Sequence, residues 1–154
     1  MRLYLVQHAK SASKEADSQR SLSEEGRREI QKVAAFIKAL DLSVDYLWHS
    51  GKKRAQQTAE ILAEVIEVRK EMAAQVGLAP NDYVEAIKDE IVSANRDIMI
   101  VGHLPFLSNL ASLLLTNSKS SNTVAFKNGC IVCLGYSDDN QWQLHWMIIP
   151  ELLF

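Results

Sequence analysis

Short apolar runs alternate with longer stretches of helical periodicity along this chain. Leu3 to Val6 is a continuous apolar run, the pattern of a strand buried on both faces. Lys10 to Arg20 is polar and aperiodic and reads as a surface loop. Ser21-Leu22-Ser23-Glu24 then opens a helix, with Ser21 as cap and Glu24 three residues on, as in a capping box. Ile30, Val33, Ala34, Ile37 and Leu40 continue it at helical spacing, and Gly26 weakens its first turns slightly. Tyr46-Leu47-Trp48 predicts a second strand, and Ala55, Ala59, Leu62 and Ile66 form the stripe of a second helix.

Val76 to Pro80 reads as irregular, and Tyr83 to Ser93 as a short helix. Ile98 to Val101 is another doubly buried strand, and Pro105 suits the first turn of a helix carrying Leu107, Leu110, Ala111 and Leu114. After the Ser/Asn-rich loop Thr116 to Asn122 come β-type segments at Thr123 to Phe126, Cys130 to Tyr136 and Gln141 to Ile149. Asp138-Asp139-Asn140 is a hairpin turn between the last two. Strands alternating with helices, then a closing β meander, predict an α/β sandwich with a mixed sheet, in one domain spanning residues 1–154.

Composition narrows the function. The 154 residues are 47% apolar and 23% charged, ordinary for a globular chain. Lys and Arg number 17 against 19 Asp and Glu, a net charge of -2 that argues against a general nucleic-acid binder. No apolar run approaches the roughly 20 residues of a membrane span. The N-terminal apolar stretch is short and lacks a small-residue cleavage site, so a cytoplasmic location is expected. Two cysteines are too few for a disulfide scaffold, and Cys130 and Cys133, three apart in a strand, face opposite sides rather than forming a redox pair. His49 and His145 show no ligand spacing, so no metal site is expected. Trp142 and Trp146 are expected to share one packed face of their strand.

Two strands end in histidine: the first at Gln7-His8, the later one at Gly102-His103. Ligands in open α/β sheets bind beyond the carboxyl ends of strands, so parallel neighbours would bring His8 and His103 into one crevice, with Gly102 allowing a sharp turn. Arg20 precedes the first helix and Arg54 lies in the first turn of the second, where a guanidinium adds to the anion affinity of a helix N-terminus. Taken singly, each could be a packed histidine or a solvated arginine; together they describe a phosphoryl site. The loop Lys10 to Gln19, beside His8, is a candidate flap.

Leu3 to His8 with Ala9, Arg20 before Ser21-Leu22-Ser23-Glu24-Glu25-Gly26, Ser50 with Arg54-Ala55-Gln56-Gln57-Thr58-Ala59, and Val101-Gly102-His103-Leu104-Pro105 resemble the histidine phosphatase superfamily. The size and the Gly-His-Leu-Pro segment are most similar to its SixA-type phosphohistidine phosphatases. The resemblance implies a phosphoglycerate mutase-like fold, a three-layer α/β/α sandwich on a mostly parallel mixed sheet. It implies a catalytic set of His8 as nucleophile, His103 and Arg54. The phosphate pocket would be Gln7, His8, Arg20, Arg54 and His103, with no cofactor and no metal.

Two departures stand out. Gln7 occupies the place of the family's Arg, keeping N–H donors but losing a charge. Ser50-Gly51 replaces the usual Ser-Pro, a change expected to matter little. No motif fixes Asp82 or Glu85 as a general acid, and both are expected to be solvated. The expected substrate is a phosphorylated protein, a phosphohistidine carrier or phosphotransfer domain; small phosphate esters are the other possibility. A non-catalytic phosphate- or phosphoprotein-binding module is the rival reading, because of Gln7.

Overall fold

The computed structural model describes residues 1–153. Its strands are β1 (Arg2–Gln7), β2 (Ser43–His49), β3 (Glu67–Ala74), β4 (Ile98–Gly102), β5 (Ile131–Tyr136) and β6 (Trp142–Ile148). Its helices are α1 (Glu24–Lys38), α2 (Lys53–Ala63), α3 (Val84–Ala94) and α4 (Phe106–Thr116). One sheet runs in the order β3-β2-β4-β1-β5-β6. The pairs β2/β3, β2/β4 and β1/β4 are parallel, and β1/β5 and β5/β6 are antiparallel.

Alternation along the central strands builds two cores. Tyr4 and Val6 of β1 with Met99 and Val101 of β4 meet Ile30, Val33 and Ile37 of α1 and Ala55, Ala59 and Leu62 of α2. Leu3, Leu5, Ile98 and Ile100 point the other way, onto Val84, Ile87 and Ile91 of α3 and Phe106, Leu107 and Leu110 of α4. This is the expected three-layer α/β/α sandwich. Strands covered on both faces need continuous apolar runs, which is what β1 and β4 carry. Among the described residues, no helix is long and apolar enough to cross a membrane.

Several local expectations are corrected. The cap of α1 is Ser23, not Ser21: its side chain accepts a hydrogen bond from Gly26 N at 3.0 Å. Leu22 cannot join the helix because it bridges to Ser11 in a short antiparallel contact. Leu40 and Ile66 lie beyond the ends of α1 and α2. Gly26 is there for space, since a Cβ would collide with the Lys10 carbonyl oxygen. Thr123 to Phe126 is not a strand. β3 was not foreseen, because as a mostly exposed edge strand it has no alternating apolar pattern.

Trp142 and Trp146 face opposite sides of the sheet. Leu144 pairs with Leu134 and Trp146 with Cys133, so His145 is an extra, bulged residue that reverses the alternation. Trp146 packs beside Tyr4 at 6.0 Å in the first core, and Trp142 beside Tyr136 at 5.0 Å in the second. Cys130 and Cys133 do separate into different cores, both buried and unbridged.

Candidate active site

Parallel pairing of β1 with β4 sets Gln7 beside Gly102, so the next residue of each strand emerges at the same edge. His8 N donates to Gly102 O at 3.0 Å. The His8 and His103 rings then stand 5.0 Å apart between centroids, tilted by 53°. Gly102 itself is extended, and a Cβ there would meet Leu107 at an ordinary 3.7 Å, so its freedom is not what makes the turn. The far side of the β1 end is pinned by Asn128 Nδ2, which donates to His8 O at 3.0 Å, and by Gly129 N, which donates to Gln7 O at 3.0 Å.

His8 Nδ1 lies 2.7 Å from its neighbour's carbonyl, Ala9 O. A carbonyl only accepts, so Nδ1 carries the proton and the lone pair resides on Nε2. Arg54 Nε lies 3.3 Å from that Nε2 and donates to it. Thr58, fully buried one turn along α2, ties the two sides together: its hydroxyl donates to Arg54 O at 2.8 Å and accepts from Ala9 N at 3.0 Å.

Both rings are neutral in this setting. Burial, opposed by the Ala9 hydrogen bond and aided by the Arg54 and Arg20 charges, lowers the His8 pKa to about 4. Burial, then the neighbouring His8, Arg54, Lys52 and Arg20, lowers that of His103 to about 3. Every charge acting on the two rings is positive, so the space around them favours an anion. His103 Nε2 lies 2.5 Å from Ser50 Oγ, while its buried Nδ1 has no hydrogen-bond partner among the described residues.

The remaining expected residues are placed as follows. Arg20 is not at a helix N-terminus; it sits in the loop before Ser23 with φ +52°, a left-handed conformation uncommon for a residue with a side chain. Its guanidinium reaches back to Ser11 Oγ at 3.3 Å and Ala12 O at 3.4 Å. Gln7 is buried, its Oε1 without a hydrogen-bond partner among the described residues. Asp82 accepts from Ala79 N at 2.8 Å and Glu85 pairs with Lys119 at 3.0 Å, and neither hydrogen-bonds to either ring. Gly51 adopts φ +87°, a conformation closed to proline. Ser50 and Thr58 stand within the resembling motif but were given no role from sequence, nor was Asn128; each makes a bond spanning 49 residues or more, besides the local turn of Thr58 on Arg54.

A groove of about 420 Å³ opens beside this centre, lined by Lys14, Ser18, Gln19 and Arg20 on one wall and by Gly51 to Arg54 with Gln56 on the other. A larger cavity of about 570 Å³ lies between α3, α4 and the β5–β6 turn, away from both histidines.

Residues 3–78 match the family model of the histidine phosphatase superfamily (branch 1). The matched stretch takes in His8, Arg20 and Arg54, and the fold is phosphoglycerate mutase-like. The structure of the protein histidine phosphatase SixA complexed with tungstate superposes with a TM-score of 0.86 at 18% identity, covering 99% of each chain. The alpha-ribazole phosphatase of Shigella flexneri gives 0.75 at 17% identity, over 94% of this chain and 95% of that one. A phosphoserine phosphatase mutant of Entamoeba histolytica, in complex with phosphoserine, gives 0.73 at 15% identity over 99% of each. At these identities the likeness concerns the fold. No curated protein matches the chain in sequence.

Proposed function

We propose that residues 1–154 act as a single, metal-independent histidine phosphatase domain in the cytoplasm, removing phosphoryl groups from phosphohistidine on a protein. The observation that carries this reading is the His8 ring: Nδ1 tied to Ala9 O, Nε2 unprotonated and directed at the Arg54 guanidinium. A neutral imidazole held in one tautomer is a ready nucleophile. Phosphoryl transfer otherwise needs positioning and positive charge for the equatorial oxygens; Arg54 and Arg20 would supply the charge, and the neutral His103 ring an N–H donor.

The steps balance without a carboxylic acid. His8 Nε2 attacks phosphorus as the bond to the substrate imidazole breaks. A substrate ring protonated on its distal nitrogen leaves as neutral imidazole, and phospho-His8 retains its Nδ1–H and is cationic in turn. One phosphorylated imidazolium is exchanged for another, a nearly level transfer. Water then cleaves the new P–N bond, its atoms leave in inorganic phosphate, and His8 returns neutral. Asp82 and Glu85, engaged elsewhere, fit a leaving group that needs no proton donor. A small phosphate ester leaves as alkoxide and would lack that help.

The test is phosphate release from a phosphohistidine-bearing protein by wild type and His8→Ala. The reading expects release by wild type alone; equal release by His8→Ala overturns it.

A further inference from the structure

The groove beside the histidines holds more positive charge than one phosphoryl group calls for. Lys14, Arg20, Lys52, Lys53 and Arg54 line it, and no carboxylate does. Among the described residues none of the five forms an ion pair, whereas Lys10, Arg69, Lys119 and Lys127 all have acidic partners. Asp17, which feels the Lys53 charge, makes no ion pair with it: its carboxylate is turned onto its own loop, accepting from Gln19 N and Ser21 N at 3.0 Å each. One wall is also the first turn of α2, which starts at Lys52 without a side-chain cap. All this sits on a chain whose net charge is -2. Concentrating unpaired cations at one mouth of an acidic protein costs self-repulsion that an anionic partner relieves.

We propose that Lys14, Lys52 and Lys53 form a docking rim for carboxylates flanking the phosphorylated side chain, so that the preferred substrate presents its phosphoryl group within an acidic protein surface. This rests on the phosphohistidine reading above and adds its specificity. Arg20 and Arg54, half-buried, would face the phosphoryl group; the three lysines are exposed on the same groove and would meet what surrounds it. Exposed charge pairs of this kind act mainly on encounter and selection, and salt weakens them.

The experiment uses fluorescent peptides carrying a non-hydrolysable phosphohistidine mimic, phosphoryl-triazolylalanine, flanked by Asp and Glu in one and by Ser and Asn in the other. Anisotropy is expected to show the acidic peptide bound roughly three- to tenfold more tightly at low salt, with the preference shrinking as salt rises. In Lys14→Gln/Lys53→Gln the ratio is expected to fall toward one. Equal affinity for the two peptides, binding of neither, or a preference that survives the double substitution overturns the docking rim. Phosphate release from a phosphohistidine-bearing protein is scored separately. Turnover without peptide preference removes the rim alone, and preference without turnover removes the phosphatase reading alone.

Discussion

Arg54 Nε donates to His8 Nε2 across 3.3 Å, occupying the lone pair that an incoming phosphorus atom would need. The same contact shows that Nε2 is unprotonated and puts a guanidinium where a phosphoryl oxygen would arrive. Binding of substrate must therefore exchange this hydrogen bond for one from Arg54 to phosphate. Replacing Arg54 by Lys keeps charge but loses the planar fork. We expect Arg54→Lys to lower kcat/KM by about 10²–10³-fold, the usual cost of one donor in such a site; a loss under threefold would contradict the assignment.

The two lowered histidine pKa values give a pH dependence of definite sign. Activity requiring neutral His8 should hold as pH falls through 6.5 and decline only near the folded value of about 4. An acid limb of kcat/KM centred near 6.5 would contradict it. Stability follows the same groups. Unfolded His8 and His103 take up protons below about 6.5 while the folded rings do not until about 4 and 3, so the unfolded state binds more protons in that window. Stability is therefore full above pH 6.5 and falls as pH drops toward 4, by up to about 1.4 kcal/mol per pH unit for each ring. Urea titrations at a series of pH values read the slope, and His103→Asn should flatten it.

Thr58 joins fold to site through one hydroxyl. In Thr58→Val the shape is kept but the buried Ala9 N–H loses its acceptor, a cost of about 1–3 kcal/mol. Because Ala9 O orients the His8 ring, kcat should fall as well. Unchanged stability by chemical denaturation would contradict the role given to Thr58.

Gln7 stands where the resemblance to histidine phosphatases leads one to expect a charged Arg. Gln7→Arg would turn a neutral donor into a charged one beside the phosphoryl group, worth about 1 kcal/mol, or about fivefold in kcat/KM, in an enzyme already active. Activity appearing only in Gln7→Arg would favour the binding-module reading.

The placement of the candidate residues was legible where chemistry coincided with the ends of apolar runs. Leu3 to Val6 and Ile98 to Val101 declared two central strands, and His8 and His103 followed them directly. Arg54 was legible for the same local reason, being in the first turn of α2. What the sequence hid depends on the partner rather than on the neighbour. Ser50 meets His103 and Asn128 meets His8 across 53 and 120 residues, and no spacing encodes such bonds. β3 is stabilised by pairing with β2 and little by burial, so its residues need no alternation. The bulge at His145 shifted Trp146 to the other face, an insertion that a two-residue period cannot foresee.

The central claim is a covalent bond from His8 Nε2 to phosphorus. Rapid quenching of wild type during turnover of a labelled phosphohistidine protein, followed by peptide mapping under alkaline conditions, tests it directly. The account predicts an acid-labile, alkali-stable phosphoryl group on the peptide containing His8, absent from His8→Ala. Turnover with label on a different residue, or with the same label in His8→Ala, would contradict it.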